Sequence, residues 1–182
     1  MRFRHILCLC TFLLAGACVH AQGLAPSVGG HMSFNFDDVS GGLHGGVDII
    51  DLDLDIRADF SARFGNKRVL VPVDGQDNAF YQYRESRYLL GLELEKRITV
   101  AELSDEALFG VTAMLMGGYT FGDFHGTKAK PDAAWTYRAR LAPFVWLNQT
   151  VILRAGYEYS PYQSPSVPDH RIFLAVTICV PE

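Results

Sequence analysis

The sequence predicts an all-β fold: a closed, antiparallel, up-and-down transmembrane β-barrel of eight strands, with a polar interior and an apolar exterior facing lipid. Three observations predict it. Apolar and polar residues alternate with a period of two through seven separate runs, the period at which successive side chains fall on opposite faces of a strand. The polar face of those runs carries acids and arginines in near balance and no lysine. The aromatic residues of the apolar face collect at one end of it.

The chain of 182 residues begins "MRFRHILCLCTFLLAGACVHAQG". Arg2 and Arg4 precede an apolar run from Ile6 to Ala17, and Val19-His20-Ala21 supplies small residues for cleavage before Gln22, the pattern of a secretory signal peptide. Residues 1–21 are therefore expected to be a leader and 22–182 a single domain. A competing reading makes Cys18 in "LAGAC" a lipidation site, with Ala15 where a lipobox prefers leucine. The apolar run is too short for a spanning helix, which needs about 20 apolar residues. Losing the leader removes two arginines and no acid, taking the net charge from −4 to −6; this mild acidity gives no electrostatic case for nucleic acid. Of four cysteines, Cys8, Cys10 and Cys18 lie in the leader and Cys179 alone remains. An exported domain without a disulfide must be held together by other means.

The strands follow in order. "HMSFNFD" sets Met32, Phe34 and Phe36 against His31, Ser33, Asn35 and Asp37. "IIDLDLDIRADFSARF" alternates unbroken from Ile49 to Phe64, with Asp51, Asp53, Asp55, Arg57, Asp59 and Arg63 on one face. After a tight turn at Gly65-Asn66, "NKRVLVPV" at 66–73 is the candidate eighth strand, although Pro72 weakens it. "RYLLGLELEKR" sets Tyr88, Leu90, Leu92 and Leu94 against Arg87, Glu93, Glu95 and Arg97. "LFGVTAMLMGGYTFG" sets Phe109, Val111, Ala113, Leu115, Tyr119 and Phe121 against Gly110, Thr112, Met114, Gly118 and Thr120. "AWTYRARLAPFVWL" sets Trp135, Tyr137, Ala139, Leu141 and Val145 against Thr136, Arg138, Arg140 and Ala142; Pro143 inside it predicts a bulge or the end of the strand. "TVILRAGYEYS" places Arg154, Glu158 and Ser160 opposite Val151, Leu153, Tyr157 and Tyr159. "HRIFLAVTICV" places Arg171, Ala175 and Thr177 opposite Ile172, Leu174, Val176 and Ile178. Turn signals fall at 40–46, 74–78, 123–133, 148–149 and 160–169.

Alternation alone does not say which face is inside, because a soluble barrel puts its apolar face inward. Laid out as a meander, Tyr119, Phe121, Trp135, Tyr137, Tyr157 and Tyr159 reach the same end of the sheet, the arrangement of an aromatic girdle at lipid headgroups. The polar face uses arginine throughout, the side chain suited to planar, bidentate pairing in a packed polar interior. The expected lumen network is Asp51, Asp53, Asp55, Arg57, Asp59, Arg63, Arg87, Glu93, Glu95, Arg97, Arg138, Arg140, Arg154, Glu158 and Arg171. Hydrocarbon leaves unpaired amides unsatisfied, so the sheet must close. Both termini are then expected in the periplasm.

A leader followed by strands such as "IDLDLDIRADFSARF", a tight "LNQT" turn and a terminal "RIFLAVTICV" resembles the small bacterial outer-membrane β-barrels of eight strands, similar to the transmembrane domain of OmpA. The resemblance covers nearly all of the mature chain. It implies residence in the outer membrane of a Gram-negative bacterium among outer-membrane lipids, as a monomer. Members often end on an aromatic residue, whereas this chain ends Val180-Pro181-Glu182.

For function, a charge-filled lumen in so narrow a barrel implies little conductance and a structural or surface-interaction role. Loops at 38–46, 123–133 and 160–169 are the expected places for an extracellular ligand or partner. A barrel enzyme acting on lipid A or phospholipid is the alternative, with His31 and Ser33 as a candidate pair and Asp37 farther along the face; a soluble periplasmic β-barrel binding protein is another. His44, His125 and His170 with Asp123, Asp132 and Asp169 form a candidate rim set for metal, pH sensing or proteolysis, and Asp51, Asp53 and Asp55 a candidate ion path. No catalytic residue, metal or cofactor is assigned: the His/Asp spacing matches no ligand motif.

Overall fold

Residues 23–35, 38–72, 80–125, 128, 130–148, 150–161 and 169–180 are described by a computed structural model. They form β1 (Leu24–Asn35), β2 (Asp38–Ile49), β3 (Leu54–Pro72), β4 (Phe80–Ser104), β5 (Ala107–Phe124), β6 (Ala134–Leu147), β7 (Val151–Tyr159) and β8 (His170–Cys179). Each strand pairs antiparallel with its sequence neighbours, and β1 closes onto β8. The result is an eight-stranded closed barrel without a free sheet edge along its wall. Two ends follow from the meander: a terminal end, with Leu24, Cys179 and the turns after β2, β4 and β6, and a loop end, with the links after β1, β3, β5 and β7. The leader at 1–21 and the turn signal at 74–78 lie outside the described residues.

Eight strands are present, but the eighth is not where the sequence reading put it. Residues 38–46, expected to be a loop, lie in β2, paired from Leu24↔Ile49 to Asn35↔Asp38 on one side and with β3 on the other. Residues 66–73 form no separate strand; residues up to Pro72 continue β3. Gly65-Asn66 is no reversal but falls in an irregularity, where the register slips between Phe64↔Ser86 and Arg68↔Arg84. The glycines explain the misreading. A Cβ at Gly46 would collide with Ile56 O, and one at Gly42 would sit 2.6 Å from His31 Nε2. These glycines let strands and large inward side chains approach, as a strand glycine can.

The unbroken alternation of Ile49–Phe64 also fails. Ile50–Leu52 form one 3-10 turn, and Asp53 adopts a left-handed conformation at φ 48° as it donates its N–H to Ile50 O at 3.1 Å. Asp is one of the few residues that tolerates this region. The hairpin between β2 and β3 therefore hides inside a run whose polarity pattern looks continuous. At "LNQT" the expected turn is present, with Asn148 at φ 50°.

Pro143 neither ends β6 nor introduces a bulge. The β6–β7 register is the same on both sides, but the ladder skips from Leu141↔Tyr157 to Phe144↔Arg154, while Val111↔Pro143 is kept toward β5. Proline has no N–H to donate, and the missing rungs face β7.

Polarity is inverted relative to a water-soluble barrel. Leu43, Leu90, Leu92, Leu115, Leu141, Ile172 and Leu174 are exposed on the outer wall, Leu92 at 66%. Arg57, Arg63, Arg97, Arg138, Glu93 and Glu95 are among the largest fully buried side chains. Small apolar clusters complete the interior: Met114, Ala142, Phe173 and Ala175 in one, and Phe144, Ile152 and Cys179 toward the terminal end.

Candidate functional site

The period of two turns every second residue of each strand into the lumen, where the charges meet. Among the described residues the buried acids are Asp38, Asp48, Asp55, Asp59, Glu85, Glu93, Glu95 and Glu158. The buried cations are Arg57, Arg63, Arg87, Arg97, Arg138, Arg140, Arg154 and Arg171, with no lysine. Eight acids face eight arginines, so the enclosed charge sums to zero when all are ionised. Balance matters because an unpaired ion in a low-dielectric interior costs several kcal/mol.

Two glutamates of β4 organise the centre. Glu95 accepts two bonds from Arg154 of β7, Nε and Nη2 each at 2.7 Å, one from Thr112 at 2.7 Å, and a short one from Arg57. Glu93 holds Arg138 of β6 at 2.9 Å and Arg57 at 3.3 Å. Arg138 also reaches Asp59 of β3 at 2.9 Å. Glu158 accepts from Arg140 Nε at 2.7 Å and from Ser33 Oγ at 2.8 Å. Near the loop end, Asp38 pairs with Arg63 at 2.6 Å and Arg171 at 3.4 Å. Toward the terminal end, Asp48 pairs with Arg97, whose guanidinium lies over Trp146 at 4.9 Å. The links β4 to β7 and β3 to β6 cross the barrel, so side chains fill the lumen.

The structure brings together Asp55, Arg57, Asp59, Arg63, Arg87, Glu93, Glu95, Arg97, Arg138, Arg140, Arg154, Glu158 and Arg171, all buried. It does not bring in Asp51 and Asp53. Asp51 is exposed in the 3-10 turn and Asp53 half-buried beside it, so an ion path through Asp51, Asp53 and Asp55 has no geometric basis. The sequence reading missed Asp38 and Asp48 and put His44 at the mouth; all three lie buried on the inner face of β2. The signal was legible: Asp38, Ser40, Gly42, His44, Gly46 and Asp48 alternate with Val39, Leu43, Val47 and Ile49.

The candidate catalytic pair does not assemble. Ser33 is engaged by Glu158 and Arg140, whereas His31 Nδ1 lies 3.3 Å from Asp59. His44 is not at the rim but in the lumen, stacked on His31 with ring centroids 6.1 Å apart. His125 sits on Ser86 at 2.7 Å, and His170 packs outside against Tyr157 and Tyr159. His31, His44 and Asp59 offer ligand atoms within 4.8 Å of one another. However, Arg138 Nη1 lies 3.5 Å from His31 Nε2 and Arg57 Nη1 3.4 Å from His44 Nε2. His44 Nε2 also lies 2.9 Å from Thr177 Oγ1. Two guanidinium cations this close oppose a further cation, and Asp59 is held by Arg138. The trio fits a hydrogen-bonded part of the network better than a metal centre.

The six aromatics occupy the outer face at the loop end. Tyr119 meets Trp135 edge-on at 5.5 Å, Tyr137 lies 6.0 Å from Tyr159, and Phe121 stacks on Tyr88, which stacks on Phe60. Tyr157 hydrogen-bonds His170.

No protein-family model and no curated protein matches the chain. Among solved structures it is similar to Neisserial surface protein A, at 15% identity and a TM-score of 0.50, over 85% of this chain and 94% of that one. It is also similar to a major outer membrane protein from Thermus thermophilus, with 11% identity, TM-score 0.49, and coverage of 88% and 100%. The N-terminal β-barrel domain of Pseudomonas aeruginosa OprF gives 10% identity and 0.45, over 86% and 97%. At such identities the likeness is one of fold, that of a small outer-membrane barrel.

Proposed function

We propose that this chain is an outer-membrane β-barrel with a structural or surface-interaction role, its lumen plugged by ion pairs and its conductance low. Residues 1–21 act as a cleaved leader, and the mature barrel sits as a monomer among outer-membrane lipids. One observation carries the reading: among the described residues, apolar side chains cover the outer wall while eight acids and eight arginines are enclosed. Water would not hold that wall apart from other surfaces, whereas hydrocarbon solvates it and a closed barrel satisfies the backbone. The girdle of Tyr119, Phe121, Trp135, Tyr137, Tyr157 and Tyr159 marks one membrane boundary. An extracellular partner would meet the loop-end segments at 123–133 and 160–169; residues 38–46, being strand, are withdrawn from that role.

The plug follows from the cross-lumen links, since an ion entering must part Arg154 from Glu95 and Arg138 from Glu93. Planar-bilayer recording of the purified barrel should show no stable open channel; large, persistent steps would overturn the plug. Carbonate-resistant membrane fractionation and heat-modifiable gel mobility test the membrane barrel itself. A non-enzymatic role predicts that lipid A and phospholipid profiles are the same with the native chain and with Ser33→Ala.

A further inference from the structure

At the terminal end the β4–β5 hairpin overreaches the barrel. β3 begins at Leu54, opposite Lys96, but β4 runs on to Ser104. Residues beyond Arg97 pair with β5, from Ile98↔Val111 to Ser104↔Ala107. On their other side no described strand lies, and the last link there is the Arg97 N–H donating to Asp53 O at 2.9 Å. The β5 side of the hairpin is covered by β6 as far as Ala107↔Leu147. One edge, residues 98–104, is therefore bare.

Every residue from Ile98 to Glu106 is exposed, including Ile98 at 62%, Val100 at 64% and Leu103 at 60%. This segment lies in water rather than hydrocarbon for two reasons. Lys96, on the outward face just before it, places a cation there that donates to Leu52 O. A bare row of amides would also go unsatisfied in lipid. In water a bare edge is a template for another strand. Register shifts at Val100 and Leu103 break this edge into short pieces, which blunts indiscriminate pairing while leaving room for a short segment.

The charge selects the segment. Glu102, Asp105 and Glu106 are the charged residues of 98–108. With Leu108 and Trp146 they line a cleft of about 400 Å³ at the hairpin tip. A lysine or arginine reaching past the edge would meet three carboxylates there. A second copy fits poorly, because barrels in one bilayer share orientation: their β4 edges would run parallel, with the acidic tips side by side.

We propose that the free edge of β4 at residues 98–104 docks an extended, basic peptide segment of a partner protein, which adds to the sheet as a further strand. The proposal rests on the membrane reading for where the hairpin lies and for the shared orientation of neighbouring copies.

The test uses the full chain in lipid nanodiscs, its insertion first verified by heat-modifiable mobility, so that a failure of the membrane reading is distinct from a failure of docking. Three end-blocked, labelled seven-residue peptides are titrated: alternating Lys and Val, the same peptide N-methylated at every second residue, and alternating Glu and Val. The Lys–Val peptide should bind at least ten-fold more tightly than either other. The double variant Glu102→Lys, Glu106→Lys, whose exposed changes leave the barrel wall intact, should lose ten-fold or more of that affinity. Equal binding of the N-methylated peptide would reduce the effect to bulk charge and overturn strand addition. No binding at millimolar peptide, or self-association through a Val100→Cys cross-link without peptide binding, would overturn it too.

Discussion

Replacing Glu95 by glutamine isolates the worth of the lumen network. The shape is conserved, but the site loses its charge and gains an amide N–H₂ aimed at donors. Glu95 receives three charge-assisted bonds, two from Arg154 and one from Arg57. Arg57 keeps Glu93 at 3.3 Å and Asp55 at 3.8 Å. Among the described residues, Arg154 forms its ion pair with Glu95 and otherwise bonds Thr177 at 2.7 Å. The loss therefore concentrates on one buried, uncompensated guanidinium, for which removal of a partner costs about 3–5 kcal/mol. Since folded domains are stable by roughly 5–15 kcal/mol, the variant should remain folded but unfold at much lower urea. Reversible urea unfolding in lipid vesicles, followed by Trp fluorescence and by heat-modifiable mobility, measures it. Glu95→Leu combined with Arg154→Leu removes both ends of the pair and should recover most of the loss, to within about 1.5 kcal/mol of the parent. A Glu95→Gln barrel within about 1 kcal/mol of the parent would refute the claim that these pairs hold the barrel together.

Other outcomes follow from the same geometry. Leu92→Arg, at a 66% exposed outward position, should cost about 2–4 kcal/mol in vesicle unfolding if that position lies near the bilayer centre; a soluble barrel would show almost none. Asp51→Asn and Asp53→Asn, in the turn outside the lumen, should change stability by less than about 0.5 kcal/mol in the same titration, and Asn suits the left-handed backbone at Asp53. Gly46→Val drives its Cβ into Ile56 O and should prevent β2–β3 pairing, read as loss of the heat-modifiable form.

How much of this was legible in the sequence differs from strand to strand. For β5, β6 and β8 the inner and outer residues were readable at once, because a two-residue period admits only one partition of side chains between two faces. The arginines at 138, 140, 154 and 171 shared a face by the period alone; the aromatic girdle and the absence of lysine put that face inside. β2 carried the alternation of a strand, but four glycines within six residues mimic turn chemistry and masked it. The real purpose of Gly42 and Gly46, making room for His31 and Arg57, exists only once β1 and β3 lie alongside. The β2–β3 turn was invisible for the opposite reason: Asp51 and Asp53 keep the alternation going through a reversal.

The candidate site divides in the same way. Residue order settles that acids and arginines share a face and that leucines share the other, since that is a property of one strand. Which acid meets which arginine depends on partners as far apart in the chain as Asp38 and Arg171, or Glu95 and Arg154, and on closure between β1 and β8. The bare edge of β4 likewise follows from where β3 happens to start. Period belongs to the local chain; pairing across a lumen and exposure of an edge belong to the closed sheet, because only closure sets the distances between strands.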